Sequence, residues 1–254
     1  MEQIAESEVS QGTAVDKALD VLFYLHEERD ARGVSDVGRA LSIPKSTAHR
    51  LLGALRRRAL VEQDEAGRYR PGVGVLTLAG GLLDREPLVA AAHGVLEKEA
   101  ADFGETFFLV AARAGRLLVL EKAEGNGVLR VSPAIGSEIP ARATAVGKLY
   151  MAHAPHLLGP EEATRFTEHT IVDSELLARE VESAGRDGFA VNRQEWIEGL
   201  AVVAAPILTA GAIRGAVCTA MSSGRLDSLE VDHVARRVGA AAARIASRLE
   251  GSGP

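Results

Sequence analysis

Residues 42 to 58 read SIPKSTAHRLLGALRRR, and the residue types packed into this stretch imply a chemistry before any fold is considered. Lys45, Ser46, Thr47, His49 and Arg50 bring two cations, two hydroxyls and an imidazole together, and Arg57 sits in the middle of three consecutive arginines. Hydroxyls bond phosphate oxygens and base edges, a guanidinium matches O6 and N7 of guanine, and ammonium groups neutralise phosphate. These are the groups with which a helix reads a major groove. The surrounding charge agrees. Between residues 39 and 70, eight basic side chains stand against three acidic ones, an excess of +5 in a chain of formal charge -6, so the remainder carries -11. Cations serve a polyanion only where they are concentrated, and the chain pI of about 5.7 hides this local excess.

Such side chains need a helix to present them and a scaffold to hold it. Pro44 suits the first turn of a helix, where a missing amide hydrogen costs nothing. Ala48, Leu51, Leu52 and Leu55 then form a buried stripe, leaving Ser46, Arg50, Gly53 and Arg57 opposite it, with Lys45, Thr47 and His49 around the N-terminus. Upstream, VDKALDVLFYLHEE places Val15, Ala18, Leu19, Leu22 and Leu25 at helical spacing behind a Thr13 cap. Ser35 is the expected N-cap of a short second helix burying Val37, Ala40 and Leu41, and it joins the candidate DNA contacts. Downstream, VEQDEAGRYRP reads as a hairpin turning at Glu65-Ala66-Gly67, with Arg68 and Arg70 on the return strand. An isolated amphipathic helix with exposed arginines is merely solvated. Two helices, a tight turn, a hydroxyl-rich helix start and a basic hairpin in that order make a winged helix-turn-helix.

At 254 residues the chain has room for a small domain joined to a medium one. Its 46% hydrophobic and 25% charged residues, with mean hydropathy near zero, describe a packed globular protein. One cysteine excludes an internal disulfide, and no run has the form of a signal peptide or the length of a membrane span, so a cytoplasmic location is expected. G-x-S-x-G, H-E-x-x-H, Walker A and C-x-x-C patterns are absent, which argues against an enzyme. His153 and His156 in HAPH lack a third ligand nearby, and Pro155 breaks the helix between them, so no metal or other cofactor is expected. A winged-helix module that binds protein instead of DNA, or a sensor without a DNA role, is the alternative, ahead of an enzyme. It would lack a steep salt dependence.

After a glycine-containing helix in VGVLTLAGGLLDRE, PLVAAAHGVLEKEAADFGE reads as a long helix, and TFFLVAAR, RLLVLEKA and VLRVSP read as strands. GSEIPARATAVGK runs through Pro140 into a helix starting near Thr144, whose free amides form an anion site. Two more helical stretches, one of them DSELLAREVESAGRDGF, precede the strands LAVVAAPIL and RGAVCTAM and a terminal helix from about Ser228 to Leu249. The alternation indicates an α+β domain with an antiparallel sheet.

TAVDKALDVL, LSIPKSTAHRLLGAL and LVEQDEAGRYRPG resemble the winged helix-turn-helix of the IclR family of bacterial transcriptional regulators. GSEIPARATAVGK, DGFAVNRQEWIEGLAVVAAPI and the final helix extend the resemblance from about Thr13 to Leu249. It implies an α+β architecture with a disordered tail at 1-12, the winged head at 13-75, a linker helix at 76-90 and a GAF-like effector-binding α/β domain at 91-250. It implies a repressor that binds a pseudopalindromic operator in double-stranded DNA as a homodimer or dimer of dimers, with no membrane partner. Carried onto this chain, the amides of Ala145 and Val146 would hold a small organic acid against a wall of Asn192, Leu200, Val202, Cys218 and Ala220, with Arg142 nearby. The family often has aspartate at Asn192, cysteine at Val202, serines at Cys218 and Ala220 and histidine at Arg142. This wall is therefore poorer in hydroxyls, which favours a larger, partly apolar acid such as an aromatic carboxylate. Without the resemblance, Leu200, Val202, Cys218 and Ala220 read as ordinary core and Arg142 as surface charge.

Overall fold

A computed structural model describes residues 13–28, 30–83, 86–127 and 133–251. The strand expected at VLRVSP falls almost wholly on residues 128–132, outside the described residues. The chain divides into two compact units, residues 1–85 and 86–254.

In the first unit, α1 (Ala14–Glu27) starts as its sequence requires. Thr13 Oγ1 accepts the Asp16 amide at 3.2 Å and the Asp16 carboxylate accepts the Thr13 amide at 2.7 Å, closing a reciprocal cap. Helix α2 (Val34–Ala40) corrects the expectation for Ser35. Gly33 is its N-cap, the Asp36 carboxylate accepts the Gly33 amide at 3.2 Å, and Ser35 lies exposed inside the first turn. Aspartate at the third helical position thus supplies one half of a capping box, the bond to the N-cap amide, while glycine has no side chain to supply the other half. Helix α2 buries Val37 and Gly38, whereas Ala40 is exposed and Leu41 half-buried. The turn into α3 explains the glycine, because a Cβ on Gly38 would meet the Ile43 carbonyl at 3.0 Å.

Helix α3 runs Lys45–Arg57, with Pro44 as its N-cap, one place earlier than the expected first-turn position. Ala48, Leu51, Leu52 and Leu55 are buried with Val21, Leu25 and Val37 in one core. Strands β1 (Val61–Gln63) and β2 (Tyr69–Pro71) form the expected hairpin. Tyr69 also exchanges two backbone hydrogen bonds with Arg32, at 2.7 and 2.8 Å, which ties the wing to the loop before α2. Helix α4 (Gly74–Leu83) completes the unit.

The second unit is a six-stranded antiparallel sheet in the order β5-β4-β3-β8-β7-β6 with helices on both faces, so the chain is α+β. Its elements are α5 (Pro87–Phe103), β3 (Thr106–Arg113), β4 (Arg116–Ala123), β5 (Glu138–Ile139), α6 (Ala145–His153), α7 (Ser174–Asp187), β6 (Ala190–Arg193), β7 (Leu200–Thr209), β8 (Ala212–Ser222), α8 (Ser223–Asp227) and α9 (Val231–Gly251). The expected range 76–90 therefore takes in the end of α4 and the start of α5, two separate helices. The terminal helix starts at Val231, later than read from sequence, because Ser228 is the C-cap of α8 and residues 228–230 form the turn between the two helices.

Two cores follow the two-residue period of the strands. Phe107, Leu109, Ala201, Val203, Ala205, Ile207, Val217 and Met221 face α5 and α9. Phe108, Val110, Leu200, Ala204, Ala216, Cys218 and Ala220 share the other core with residues of α6. Central strands buried on both faces must be apolar throughout, which is why β3, β7 and β8 read as continuous hydrophobic runs. Glu99 is a buried charge between α5 and α9, with Arg237 Nε at 2.6 Å and Arg244 also bonded to it. Among the described residues no helix is long and apolar enough to cross a membrane.

Candidate nucleic-acid interface and effector site

The head presents its cations on the solvent face of α3. Lys45, Ser46, His49, Arg50 and Arg57 are exposed, Thr47 is half-buried, and the buried stripe fixes the opposite side. The Arg57 guanidinium folds back one turn and lies 3.8 Å from where a Gly53 Cβ would stand. Ser46, Arg50, Gly53 and Arg57 thus form a low, polar ridge. Among the described residues Lys45, Arg50, Arg57 and Arg58 carry no ion pair.

The wing arginines differ. Arg70 Nε donates to Glu62 at 2.6 Å, and Arg68 donates through its amide and its Nε to Asp64 at 2.8 and 2.9 Å. The Arg68 amide is the main reason the Asp64 carboxyl is held below its usual range. Arg56 is also engaged, donating to Gln63 at 2.6 Å. The hairpin register, which sets Glu62 directly opposite Arg70, is the signal that reveals this pairing.

In the second unit, the resemblance-derived wall residues come together. Asn192, Val202 and Ala220 are direct neighbours across β6, β7 and β8, and Cys218 and Leu200 flank them on the same face. Ala145 and Val146 open α6 above this row and are buried in the same cluster. Thr144 caps the helix by accepting the Gly147 amide at 3.2 Å and donating to the Pro140 carbonyl at 2.7 Å. Among the described residues the amides of Ala145 and Val146 have no acceptor, as first-turn amides do not unless something external supplies one. Asn192 is already engaged. Its Nδ2 donates to the Ala143 carbonyl and its Oδ1 accepts the Glu195 amide at 3.3 Å. Burial pushes the Cys218 thiol well up, so it stays neutral and serves as a small apolar group. Val202 and Trp196 keep partial exposure where Leu200, Cys218 and Ala220 are closed.

Arg142 lies apart from the row, on the lining of a 560 Å³ cleft between α6 and α7 that also takes in Met151, Leu177 and Val181. Its Nε is buried there without a hydrogen-bond partner.

Three features of this site were not read from sequence. Lys148, 1% exposed, donates to Glu195 at 2.7 Å, Glu180 at 3.1 Å and the Val191 carbonyl at 3.1 Å, which clamps α6 to β6 and the loop after it. Glu161 accepts the amides of Ala141 and Arg142 at 2.7 and 3.1 Å and so pins the approach to α6. Gly147 lets that approach cross the helix directly, since a Cβ there would fall 1.7 Å from the Ala141 carbonyl oxygen. The partners of Lys148 and Glu161 lie 19 to 47 residues away in sequence, beyond the reach of local spacing. His153 ends α6 and His156 is exposed in the following turn. Among the described residues no cluster of histidine, cysteine and acidic side chains is arranged to hold a metal.

Comparison with known proteins connects both surfaces. Residues 14–65 match the IclR helix-turn-helix domain and residues 80–247 match the bacterial transcriptional regulator IclR C-terminal domain. The chain is 27% identical over 230 residues to the HTH-type transcriptional repressor AllR of Salmonella paratyphi A, covering 87% of this chain and 85% of that one. It is 26% identical to AllR of Escherichia coli K12 over 220 residues, 84% of this chain and 81% of the relative. Among solved structures, an IclR homologue of Microbacterium hydrocarbonoxydans complexed with 4-hydroxybenzoate superposes with TM-score 0.82 at 23% identity, over 94% of this chain and 100% of the other. An IclR transcriptional regulator from Alicyclobacillus acidocaldarius superposes with TM-score 0.79 at 23% identity, over 94% and 99% of the two chains. With both domain types matched in order over most of its length, the chain belongs to the IclR family and is a DNA-binding transcriptional regulator, not an enzyme.

Proposed function

We propose that this regulator is a cytoplasmic repressor that binds a pseudopalindromic operator as a dimer or dimer of dimers, with α3 of each head in a major groove. An organic acid with an apolar body, seated at the start of α6, is its effector. The observation that carries the DNA reading is the ridge of Ser46, Arg50, Gly53 and Arg57 with Lys45 beside it, whose cations have no partner among the described residues. Two-fold assembly is supported by apolar side chains left in solvent on the head. Val15, Leu19 and Phe23 stand at four-residue intervals on α1, 67, 47 and 63% exposed, and Val73, Leu76 and Leu78 are exposed at α4. A stripe of that kind is what a second copy covers, and paired heads match paired half-sites.

The effector reading rests on two free amides above an apolar floor. The amides of Ala145 and Val146, at the positive end of α6, suit a carboxylate, while Val202, Cys218 and Ala220 offer it no hydroxyl. A small keto acid would leave its remaining oxygens without donors. By linkage, an acid that favours one arrangement of the heads changes operator affinity by the factor with which operator changes acid affinity. Residues 76–90 are the proposed joint between the two functions.

Footprinting of the DNA upstream of the gene, paired with thermal melting across a panel of acids, tests the whole reading. The panel contains 4-hydroxybenzoate, benzoate, glyoxylate and pyruvate. The expected result is a protected pseudopalindrome, with the aromatic acids both raising the melting temperature and altering protection. A shift with glyoxylate or pyruvate and none with the aromatic acids would overturn the effector class.

A further inference from the structure

We infer that Glu62 and Asp64 set the specificity of the wing by holding Arg70 and Arg68 away from DNA phosphates, which keeps sequence-independent binding weak. The inference rests on the reading of the head as a groove-binding surface and adds a function to residues that oppose binding. The basic segment contains two populations of cation. Lys45, Arg50, Arg57 and Arg58 on and after α3 are unpaired among the described residues, whereas Arg68 and Arg70 are each held by a carboxylate of the facing strand or turn.

These pairs are built into the hairpin. Register places Glu62 opposite Arg70. Asp64 accepts the Arg68 amide at 2.8 Å and Arg68 Nε at 2.9 Å, and its own amide donates to the Arg68 carbonyl at 2.8 Å. Asp64 is ionised at neutral pH, its carboxyl being held below the usual range by that amide.

A phosphate that takes an arginine from such a pair gains a neighbouring carboxylate with it. The pair delivers almost no net charge, and almost no counterion is released. The α3 cations can read a groove, but a wing of free arginines would grip any duplex. Masking removes affinity common to all sequences and leaves the share that depends on bases. An exposed pair is weak, so each mask lowers non-specific affinity about two- to fivefold.

The experiment titrates the full-length protein with a random-sequence duplex of about 30 base pairs over a range of salt. It compares wild type with Glu62→Gln, Asp64→Asn, the double variant and Glu65→Gln. Asparagine retains an acceptor for the Arg68 amide, so the turn survives Asp64→Asn. Glu65, exposed at the hairpin tip with no ion pair among the described residues, loses the same charge without freeing an arginine. For each head engaged on the duplex, each of the first two variants should steepen the slope of log K against log salt by about 0.9 and tighten binding about two- to fivefold, with about 1.8 per head for the double variant and no change in slope for Glu65→Gln. Equal slopes in all proteins, the same steepening in Glu65→Gln, or weaker binding in Glu62→Gln would each overturn the masking role. If neither wild type nor any variant binds duplex at low salt, groove binding falls with it. A wild type that binds beside unchanged variants refutes the mask alone.

Discussion

Gly147→Ala should destabilise the effector-binding unit by about 3 kcal/mol or more, although alanine is the better helix former. The sign follows from comparing two effects. Exchanging glycine for alanine inside a helix gains about 1 kcal/mol of propensity. Against this, the new Cβ would lie 1.7 Å from the Ala141 carbonyl oxygen and 2.4 Å from its carbon, both backbone atoms. Ala141 cannot retreat freely, because Glu161 holds its amide and Thr144 holds the preceding carbonyl. The start of α6 must therefore open, taking the Ala145 and Val146 amides out of place. Urea melts of the variant should show a lower midpoint, and any response to acids should be lost. Gly185→Ala is the counterpart: its Cβ would meet Ala152 at 3.4 Å, an ordinary contact, so it should stabilise by up to about 1 kcal/mol. A wild-type midpoint for Gly147→Ala would show that the crossing is not as close as described.

Arg50→Ala should cost about 1 to 3 kcal/mol on the preferred operator and much less on scrambled duplex, because a guanidinium that reads a base contributes only where that base is present. Arg57→Ala should instead weaken binding by a similar amount on every sequence. Arg57 leans over Gly53 at the far end of the helix, whereas the N-terminal residues of a recognition helix meet the base edges. Gel-shift titrations of both variants on both duplexes separate these roles. Equal losses for Arg50→Ala on operator and scrambled DNA would make it a phosphate contact.

Much of this architecture was legible because burial imposes a period on the sequence. The Ala48, Leu51, Leu52 and Leu55 stripe defines α3, and the bounds of β3 and β4 fall where TFFLVAAR and RLLVLEKA begin and end. Short elements were less legible. Strands β5 and β6 have two and four residues, too few for a period to show. The Ser35 cap failed for a local reason, since the helix begins at Val34 behind Gly33, which leaves Ser35 inside the first turn with Asp36 binding the Gly33 amide. At the candidate effector site, spacing marked a helix start near Thr144 but not what holds it. Lys148, Glu195 and Glu161 act through partners brought close only by the folded sheet. The mask on the wing lay between these extremes. Once the hairpin turn is placed, Glu62 and Arg70 must face each other, yet a net count of charge treats them as independent.

The central claim is that α3 and the cations beside it dock this protein onto duplex DNA. Its most direct test is the affinity of the full-length protein for its own upstream region between about 50 and 200 mM salt. Two heads, each with Lys45, Arg57 and Arg58 unpaired among the described residues and free to reach phosphate, predict a log-log slope of about -5, flattened by Lys45→Ala and Arg57→Ala. A slope near zero, or tight binding that the two substitutions leave unchanged, would contradict it.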